Sequence, residues 1–537
     1  NQHKMFNVIS FLVTYNMRNG LIATNNIMDD TNITPLNCKP CLLKVMLAAI
    51  LSFSFIFSVS AAPWVDSSDF RLRHHIQLLA DKNIITVPVT TWPLMWSGVI
   101  HDVKQADYSN LDEQSLWSLR YVKHAFARQT EGALRFNGQL SAAESVQAIK
   151  HFADNRREQS EAKASVDWMG DKLAVHLAGT YAEQPQDGNK WRADGSYISY
   201  ALGNWALSAG AVDRWWGPGW GSSLTLSNNA RPIPGLSLQR RNSDAFNFES
   251  PWLSWLSYIG PWQFTSIAGQ LEANRHVPDA YFLGARFSFR PLNSVELAFS
   301  RTAQWGGEGR PQSLSSLKDL IIGNDNRGDS GIALDGSNEP GNQQATIDAR
   351  YSFSVSQTHN AMYFQFAGED EAGGLPSRGM VQLGLESSFL YRNAQHRLVL
   401  EVSDTTSESY SDERPNYAYE HAIYRSGYRY KGRPIGASID NDSRLVSFIA
   451  NHYLTSGKQL SWSLSKVDLN TDASNSGAPG GSVYGGGGVV KMAKIQYSVP
   501  VNAYWQLSFA YQYASDLFMF NNEVLDSSGS MILDFRF

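Results

Sequence analysis

The chain has 537 residues and a formal net charge of -5, with 43% hydrophobic and 12% aromatic residues. The acidic balance argues against a nucleic-acid-binding protein, which needs a basic surface. The hydrophobic fraction resembles that of a soluble protein, but it does not exclude a membrane β-barrel, in which only alternate residues face lipid.

The first feature in chain order is an apolar run over residues 45–59. Lys39 and Lys44 precede it, and small residues follow it up to Pro63. A basic flank, an apolar stretch and a small-residue exit are typical of a secretory signal peptide, with cleavage predicted after Ala61. Residues 1–61 are therefore predicted to be an upstream extension and signal peptide. A single N-terminal anchor is the alternative, although the run is short for a membrane-spanning helix.

The two cysteines, Cys38 and Cys41, precede this apolar run. We expect them to leave with the signal peptide, so that the mature chain has neither a disulfide nor a cysteine-bound metal. No other apolar stretch is long enough for a helical span. The exported protein is then periplasmic, secreted or a β-barrel.

Residues 62–167 are predicted to form a periplasmic helical bundle. Ser67-Ser68-Asp69 offers candidate N-caps for a first helix. Thr91-Trp92-Pro93 is predicted to start a second helix, and Asn110 with Glu113 is a candidate capping pair for a third. A fourth helix is predicted over residues 141–164.

Residues 168–537 change to an alternating pattern, which predicts β-strands. Over residues 281–290, aromatic and apolar side chains of one parity alternate with a face that carries Arg286 and Arg290. Charges in the middle of a strand suit a polar barrel interior better than a sandwich core. At roughly 20 residues per strand and connection, this region predicts a transmembrane antiparallel barrel of about 18 strands.

The last eight residues repeat this pattern. Met531, Leu533, Phe535 and Phe537 share one parity, opposite Asp534 and Arg536. An apolar face at a chain terminus is costly in water but favourable against lipid in a closed barrel. We expect outer-membrane lipid as a partner here. An aromatic terminal strand would also suit recognition by the barrel-assembly machinery.

No enzymatic, metal or cofactor site is predicted. His421 lies near many serines, but no G-x-S-x-G elbow accompanies it. The acidic pairs Asp325/Asp329 and Asp440/Asp442 lack the set of oxygen ligands that a calcium loop needs.

Two segments are unusual for a barrel, one from Asp213 to Gly235 and one from Asn416 to Gly436. Their Trp and Tyr rings can stack on sugars, while Arg with Asp or Glu can bind hydroxyls and carboxylates. The same residues can instead satisfy one another inside a plugged, polar lumen. The candidate carbohydrate-binding or lumen-network residues are Arg214, Trp215, Trp216, Trp220, Arg231, Tyr417, Tyr419, His421, Tyr424, Tyr428, Arg429, Tyr430 and Arg433.

At these segments the sequence resembles the Wzi capsule-assembly family of outer-membrane proteins. The matching motifs are Arg214-Trp-Trp-Gly-Pro-Gly-Trp220, Ser227-Asn-Asn-Ala-Arg-Pro232, Glu339-Pro-Gly-Asn-Gln343 and Tyr424-Arg-Ser-Gly-Tyr-Arg-Tyr-Lys-Gly-Arg433. The resemblance implies a monomeric barrel with a periplasmic helical bundle. It also implies a lectin-like protein that binds exported capsular polysaccharide or exopolysaccharide and helps organise a capsule. A porin or polysaccharide-secretion channel is the alternative function.

Overall fold

The computed structural model describes residues 63–130, 134–248, 250–322, 341–372, 375–406, 416–473 and 481–536. The predicted signal peptide with Cys38 and Cys41, the Asp325/Asp329 pair, the Glu339-Pro340 step and Phe537 lie outside these residues. Within the described part of the chain, no helix is long and apolar enough to cross a membrane.

The chain from Pro63 to Thr130 forms the helical segment. It contains β1 (Trp64–Val65), α1 (Phe70–Asp81), β2 (Thr91–Trp92), β3 (Leu94–Met95), α2 (Trp96–Gln105) and α3 (Glu113–Thr130). Of the candidate caps Ser67, Ser68 and Asp69, it is Asp69 that caps α1, since one of its side-chain oxygens accepts from Leu72 N at 2.9 Å. The second helix begins at Trp96, because Thr91-Trp92 is a strand. The third is capped by Asp112, whose Oδ1 accepts from Ser115 N at 2.9 Å, and not by Asn110.

The rest of the chain is dominated by one closed antiparallel barrel. Its elements, in chain order, are β4 (Leu134–Ala143), β5 (Ser160–Met169), β6 (Leu173–Glu183), β7 (Trp191–Arg192), β8 (Tyr197–Leu202), β9 (Trp205–Gly210), β10 (Trp215–Trp216), β11 (Gly235–Arg240), a 3-10 helix (Ser254–Ile259), β12 (Trp262–Gln270), β13 (Tyr281–Leu292), β14 (Val295–Trp305), α4 (Leu314–Ile322), β15 (Gly341–Val355), β16 (Thr358–Ala372), β17 (Leu375–Tyr391), β18 (Ala394–Asp404), β19 (Arg429–Tyr430), β20 (Arg433–Pro434), β21 (Arg444–Leu454), β22 (Gln459–Leu469), β23 (Gly488–Pro500), β24 (Trp505–Ala514), β25 (Phe518–Phe520), β26 (Glu523–Leu525) and β27 (Ser528–Arg536).

The barrel wall has 18 strand positions, because β7 and β8 pair with opposite ends of β6 and share one position. β27 closes the wall against β4, with Phe535 opposite Gly138. The short strands β2 and β10, β19 and β20, and β25 and β26 pair outside the wall. The predicted fold class, a barrel of about 18 strands, is confirmed.

The predicted boundary between the helical region and the barrel is wrong. The barrel begins at Leu134 and not at residue 168, and residues 141–164 are not a helix, because they contain parts of β4 and β5. Ala, Glu and Lys are good helix formers, and they obscured a period-2 pattern in which Ala162, Ala164 and Val166 alternate with polar residues. Pairing with two neighbouring strands overrides this local preference.

The predicted alternation along β13 is confirmed. Arg286, Ser288 and Arg290 are buried in the lumen, whereas Tyr281 and its same-parity neighbours face outward. On β24, Phe509, Tyr511 and Tyr513 are exposed on the outer wall. An apolar outer face with a polar interior is the pattern of a transmembrane barrel.

The two ends of the barrel differ. At the short-turn end, strands are joined through residues 293–294, 356–357 and 392–393. At the long-loop end lie residues 211–234 and the described parts of three further connections, namely residues 306–322, residues 405–406 with 416–443, and residues 470–473 with 481–487. This asymmetry matches outer-membrane barrels, whose short turns face the periplasm.

The helical segment enters the lumen from the short-turn end. Gln77 of α1 donates to Glu386 Oε1 at 2.9 Å, and Thr90 N donates to Glu296 Oε1 at 2.8 Å. Arg286 Nε donates to Thr91 Oγ1 at 2.8 Å. Because these strand residues face inward, the helical segment and the barrel share one hydrogen-bonded interior.

Candidate functional site

The Trp segment, defined as residues 211–234 between β9 and β11, folds into the lumen from the long-loop end. Its β10 strand pairs with β2 of the helical segment, with Trp215 opposite Trp92. Gly219 allows the tight bend that follows, since a Cβ there would overlap the Ser222 carbonyl oxygen. The Trp segment therefore meets the helical segment inside the barrel.

Trp220 is the centre of this contact. Its indole Nε1 donates to Glu386 Oε2 at 2.8 Å, and its backbone N donates to Glu401 Oε2 at 2.9 Å. The guanidinium carbon of Arg73 lies 4.1 Å from the centre of the Trp220 ring. Arg73 Nη2 also donates to Pro218 O at 2.8 Å. These contacts join α1, the Trp segment and the wall strands β17 and β18.

The Tyr segment, defined as residues 416–443, packs on the Trp segment. Tyr419 OH donates to Leu224 O at 2.5 Å, and Tyr428 OH donates to Thr225 O at 2.9 Å. The Tyr419 and Tyr428 rings stack with their centres 5.7 Å apart. These hydroxyls bind backbone carbonyls of the Trp segment, so the two segments form one packed unit.

The arginines of both segments are held by neighbouring groups. Arg429 Nε donates to Asp440 Oδ2 at 3.0 Å, and its Nη2 lies 2.6 Å from Glu420 Oε1. Arg231 Nη2 contacts Asp194 at 2.8 Å. Arg433 donates to backbone carbonyls, Gln147 O at 3.0 Å and Arg157 O at 2.8 Å.

The structure therefore brings most of the predicted site residues into the lumen rather than onto an accessible surface. Partly exposed members are Arg214, Arg231, Tyr417 and His421. The others are buried, namely Trp215, Trp216, Trp220, Tyr419, Tyr424, Tyr428, Arg429, Tyr430 and Arg433. Buried rings already packed against protein are not available to stack on a sugar, so these residues hold the two segments together inside the lumen.

Several residues that organise this interior are absent from the candidate site residues predicted from sequence. Arg73, Glu386 and Glu401 are all buried. The signal was present for the two acids, because each carries a charge in mid-strand on a face opposite apolar residues. Nothing local identifies Arg73, since its partners lie 145 and 146 residues away in the chain.

A polar cavity of about 260 Å³ lies beside the helical segment. It is bounded by Arg71 on α1, by Asn451 on β21 and by Lys494 on β23. Lys494 Nζ binds Asp154 Oδ1 at 2.8 Å across its wall. Glutamine and serine side chains supply much of the remaining lining. This is a small hydrophilic space within a filled lumen.

The Tyr segment contains a buried titratable carboxyl. Asp442 Oδ2 accepts from Asn416 N at 2.7 Å and from Asn441 Nδ2 at 2.9 Å. Burial, with a smaller contribution from the Asp472 and Asp440 carboxylates, raises the pKa of Asp442 to about 7. The folded Tyr segment therefore binds a proton more tightly than the unfolded chain does.

We expect the Tyr segment to open more often as pH rises. Because the folded pKa of Asp442 exceeds its ordinary value, the added stability is complete below about pH 4 and is lost as pH rises through about 7. Amide exchange of residues 416–443, corrected for intrinsic rates, should be slower at about pH 5 than at about pH 8. Asp442→Asn should reduce that difference without abolishing it, because burial also raises the pKa of Glu420 in the same segment to about 7. Asp526→Asn, at an exposed loop position, should leave the difference unchanged. An undiminished pH dependence in Asp442→Asn would contradict this assignment.

The comparisons with known proteins agree with this architecture. The family model described as "Capsule assembly protein Wzi" matches residues 132–527. A Klebsiella pneumoniae protein described as an uncharacterized 55.8 kDa protein in the cps region is 33% identical over 346 residues. That match covers 63% of this chain and 64% of the Klebsiella protein, which is less than two thirds of its length.

A solved structure from Escherichia coli superposes with a TM-score of 0.75 at 26% identity. The match covers 88% of this chain and 99% of that one. The E. coli protein is described as Wzi, an outer-membrane protein involved in group 1 capsule assembly and a carbohydrate-binding β-barrel. Since the family model matches well over half of the chain, this protein belongs to the Wzi capsule-assembly family of outer-membrane β-barrels.

Proposed function

We propose that this protein binds exported polysaccharide at the cell surface and takes part in capsule assembly. Family membership supports this role, as does the E. coli relative described as a carbohydrate-binding barrel in capsule assembly. The observation that carries the proposal is the filled lumen, in which Trp220 and Tyr428 join the inserted segments to each other and to the wall. A barrel filled in this way suits a binding protein better than a porin or a polysaccharide-secretion channel.

In the proposed orientation the long-loop end faces the medium and the helical segment faces the periplasm. The short turns at 293–294 and 392–393 support this choice, because outer-membrane barrels place such turns on the periplasmic side. We further propose that the protein acts as a monomer, that its outward apolar wall contacts outer-membrane lipid, and that the barrel-assembly machinery recognises β27. The proposed role is binding, with no catalytic step.

The polysaccharide surface is proposed to lie on the outer part of the Tyr segment and the neighbouring β12–β13 connection. Arg425 is exposed, and Tyr417 and His421 are partly exposed. His276 lies beside them, since its N donates to Ser426 Oγ at 2.8 Å. Cationic and aromatic side chains of this kind can bind sugar carboxylates and hydroxyls and stack on sugar rings.

Replacing Tyr417, His421 and Arg425 together by alanine is expected to weaken binding of the host's purified surface polysaccharide. Loss of one stacking and two polar contacts should cost about 1–3 kcal/mol, roughly a tenfold to hundredfold rise in Kd. The measurement is retention of the polysaccharide on immobilised protein, with barrel folding checked by gel mobility before and after heating.

The matched control is Arg392→Ala, which removes an exposed arginine from a short turn at the opposite end. It should bind the polysaccharide as the unmodified protein does. Equal binding by the triple variant would show that another surface holds the ligand. Failure of the unmodified protein to retain any host surface polysaccharide would overturn the proposed function itself.

A further inference from the structure

The connection between β11 and β12, residues 241–261, is unusually long for the short-turn end of this barrel. The neighbouring hairpins at this end turn through residues 203–204 and 293–294. Residues 241–261 instead include the 3-10 helix Ser254–Ile259. Helix α2 fixes the start of this connection, since Ser97 Oγ donates to Arg241 O at 2.8 Å.

Much of this connection is apolar, uncharged and unburied. No Asp, Glu, Lys or Arg occurs from residue 250 to residue 262. Trp252 is 88% exposed and Tyr258 is 81% exposed, and Trp255 and Leu253 are exposed beside them. We call these four residues the aromatic foot. An exposed cluster of this size and composition normally marks a contact with another molecule or with lipid.

The stems of the connection hold the aromatic foot at the edge of the barrel wall. Arg290 N donates to Pro261 O at 2.9 Å, and Trp262 N donates to Ser243 O at 2.9 Å. Gly260 has a φ of 72°, and a Cβ there would overlap the Arg290 carbonyl oxygen. The foot is thereby tied to the end of β13 in the wall.

A continuous series of aromatic contacts leads from this connection onto the lipid-facing wall. Phe246 stacks on Trp262 with ring centres 4.5 Å apart, and Trp262 lies 5.5 Å from Phe287. Phe287 contacts Phe289 at 5.4 Å, which contacts Phe299 at 6.2 Å. Phe299 is exposed on the outer wall. The aromatic surface of the connection is therefore an extension of the band that contacts lipid.

We propose that residues 250–261 form a second membrane contact, an anchor lying in the interface of the outer membrane's inner leaflet. Trp and Tyr concentrate at membrane–water interfaces, where one part of the ring is dry and the polar atom is wet. A short element with a Trp-rich apolar face can lie in this interface without spanning the bilayer. The anchor fixes the barrel's depth and tilt beside β8, β9 and β11, which have 6 residues each. This inference does not depend on polysaccharide binding.

Spin labels at single cysteines in the full chain test this anchor. Cys38 and Cys41 are first replaced by serine, and Trp252→Cys and Tyr258→Cys are made separately in that background. The proteins are reconstituted into vesicles of phosphatidylethanolamine and phosphatidylglycerol. Collision rates of each label with oxygen, which partitions into lipid, and with a water-soluble nickel chelate are then measured.

Two further positions calibrate the result. Leu383→Cys lies on the outward face of β17, and Leu314→Cys lies at the long-loop end, where Leu314 is 86% exposed. Labels at 252 and 258 are expected to fall between the two references, with oxygen collisions above those at 314 and nickel collisions several-fold below those at 314. Nickel accessibility equal to that at 314 would overturn the proposal and favour an aqueous partner site. Shielding from both probes would overturn it too, because it would indicate contact with protein.

Discussion

Replacing Glu386 by alanine is expected to lower the stability of the barrel by about 3–5 kcal/mol, because it leaves buried cations without their shared carboxylate. Glu386 Oε1 accepts from Gln77 Nε2 at 2.9 Å and from Arg350 Nε at 2.8 Å. Its Oε2 accepts from Trp220 Nε1 at 2.8 Å and from Arg397 Nη1. One carboxylate thus joins α1, the Trp segment and two wall strands.

Most of the lost stability should come from Arg397, which would be left buried without a carboxylate partner. Arg350 keeps a second carboxylate, Asp81, through Nη2 at 3.0 Å. Without Glu386, Arg397 retains the ring of His74, 3.0 Å from its Nε, and the face of the Trp220 ring, 4.8 Å from its guanidinium carbon. An arginine buried to this degree, with 1% of its surface exposed, requires a compensating charge.

The measurement is the temperature at which the detergent-solubilised barrel loses its compact mobility on a gel. Glu386→Gln keeps the side-chain volume but not the charge. Its melting temperature should therefore lie between those of Glu386→Ala and the unmodified protein. The matched control is Leu385→Ala, the next residue on β17, which faces outward. If Glu386→Ala and Leu385→Ala melted at the same temperature, Glu386 would not hold the interior together.

The wall could be predicted from sequence because its signal is local. The alternation at residues 281–290 and in the terminal strand records two environments on opposite faces of each strand. Lipid and a polar lumen impose this period of two whatever the neighbouring strands are. The same reasoning failed for residues 141–164, where Ala, Lys and Glu favour a helix locally and only pairing with β6 and β27 selects the strand.

The arrangement inside the lumen could not be predicted, because long-range contacts determine it. Trp220 is a good sugar-stacking residue by type, yet its backbone N binds a carboxylate 181 residues further along the chain. Tyr428 likewise binds Thr302, 126 residues before it. Residue type specifies what a side chain can bind, and the fold determines whether it binds a ligand or another part of the protein.

Reconstituted in a planar bilayer, the intact protein is expected to pass little current, and removal of the Trp segment should raise that current several-fold. An 18-strand barrel with an empty polar interior forms an aqueous pore. Here the wall residues Gln365, Gln382 and Glu401 bind the Trp segment instead of water, with Gln365 Nε2 donating to Trp216 O at 2.9 Å.

The variant replaces residues 212–233 with a short Gly-Ser turn. The geometry allows this, because Gly210 of β9 and Gly235 of β11 are paired across the wall. Water can then solvate the freed glutamines and Glu401, so the barrel should stay closed although less stable. A control that replaces α4 with a Gly-Ser linker should not change the current, since Leu314, Ile321 and Ile322 are exposed rather than packed in the lumen.

The conductance of the intact protein separates the two functions. A binding protein needs its lumen filled, since the Trp segment supports the Tyr segment through Tyr419 and Tyr428. A porin or secretion channel would show stable open-channel current without any deletion, and that result would favour the transport alternative. If the intact protein passes little current and the Trp-segment variant conducts, the Trp segment both closes the pore and positions the Tyr segment above it. Weaker polysaccharide retention by the conducting variant would then follow from one cause, because loss of the Trp segment removes the support beneath the proposed binding surface.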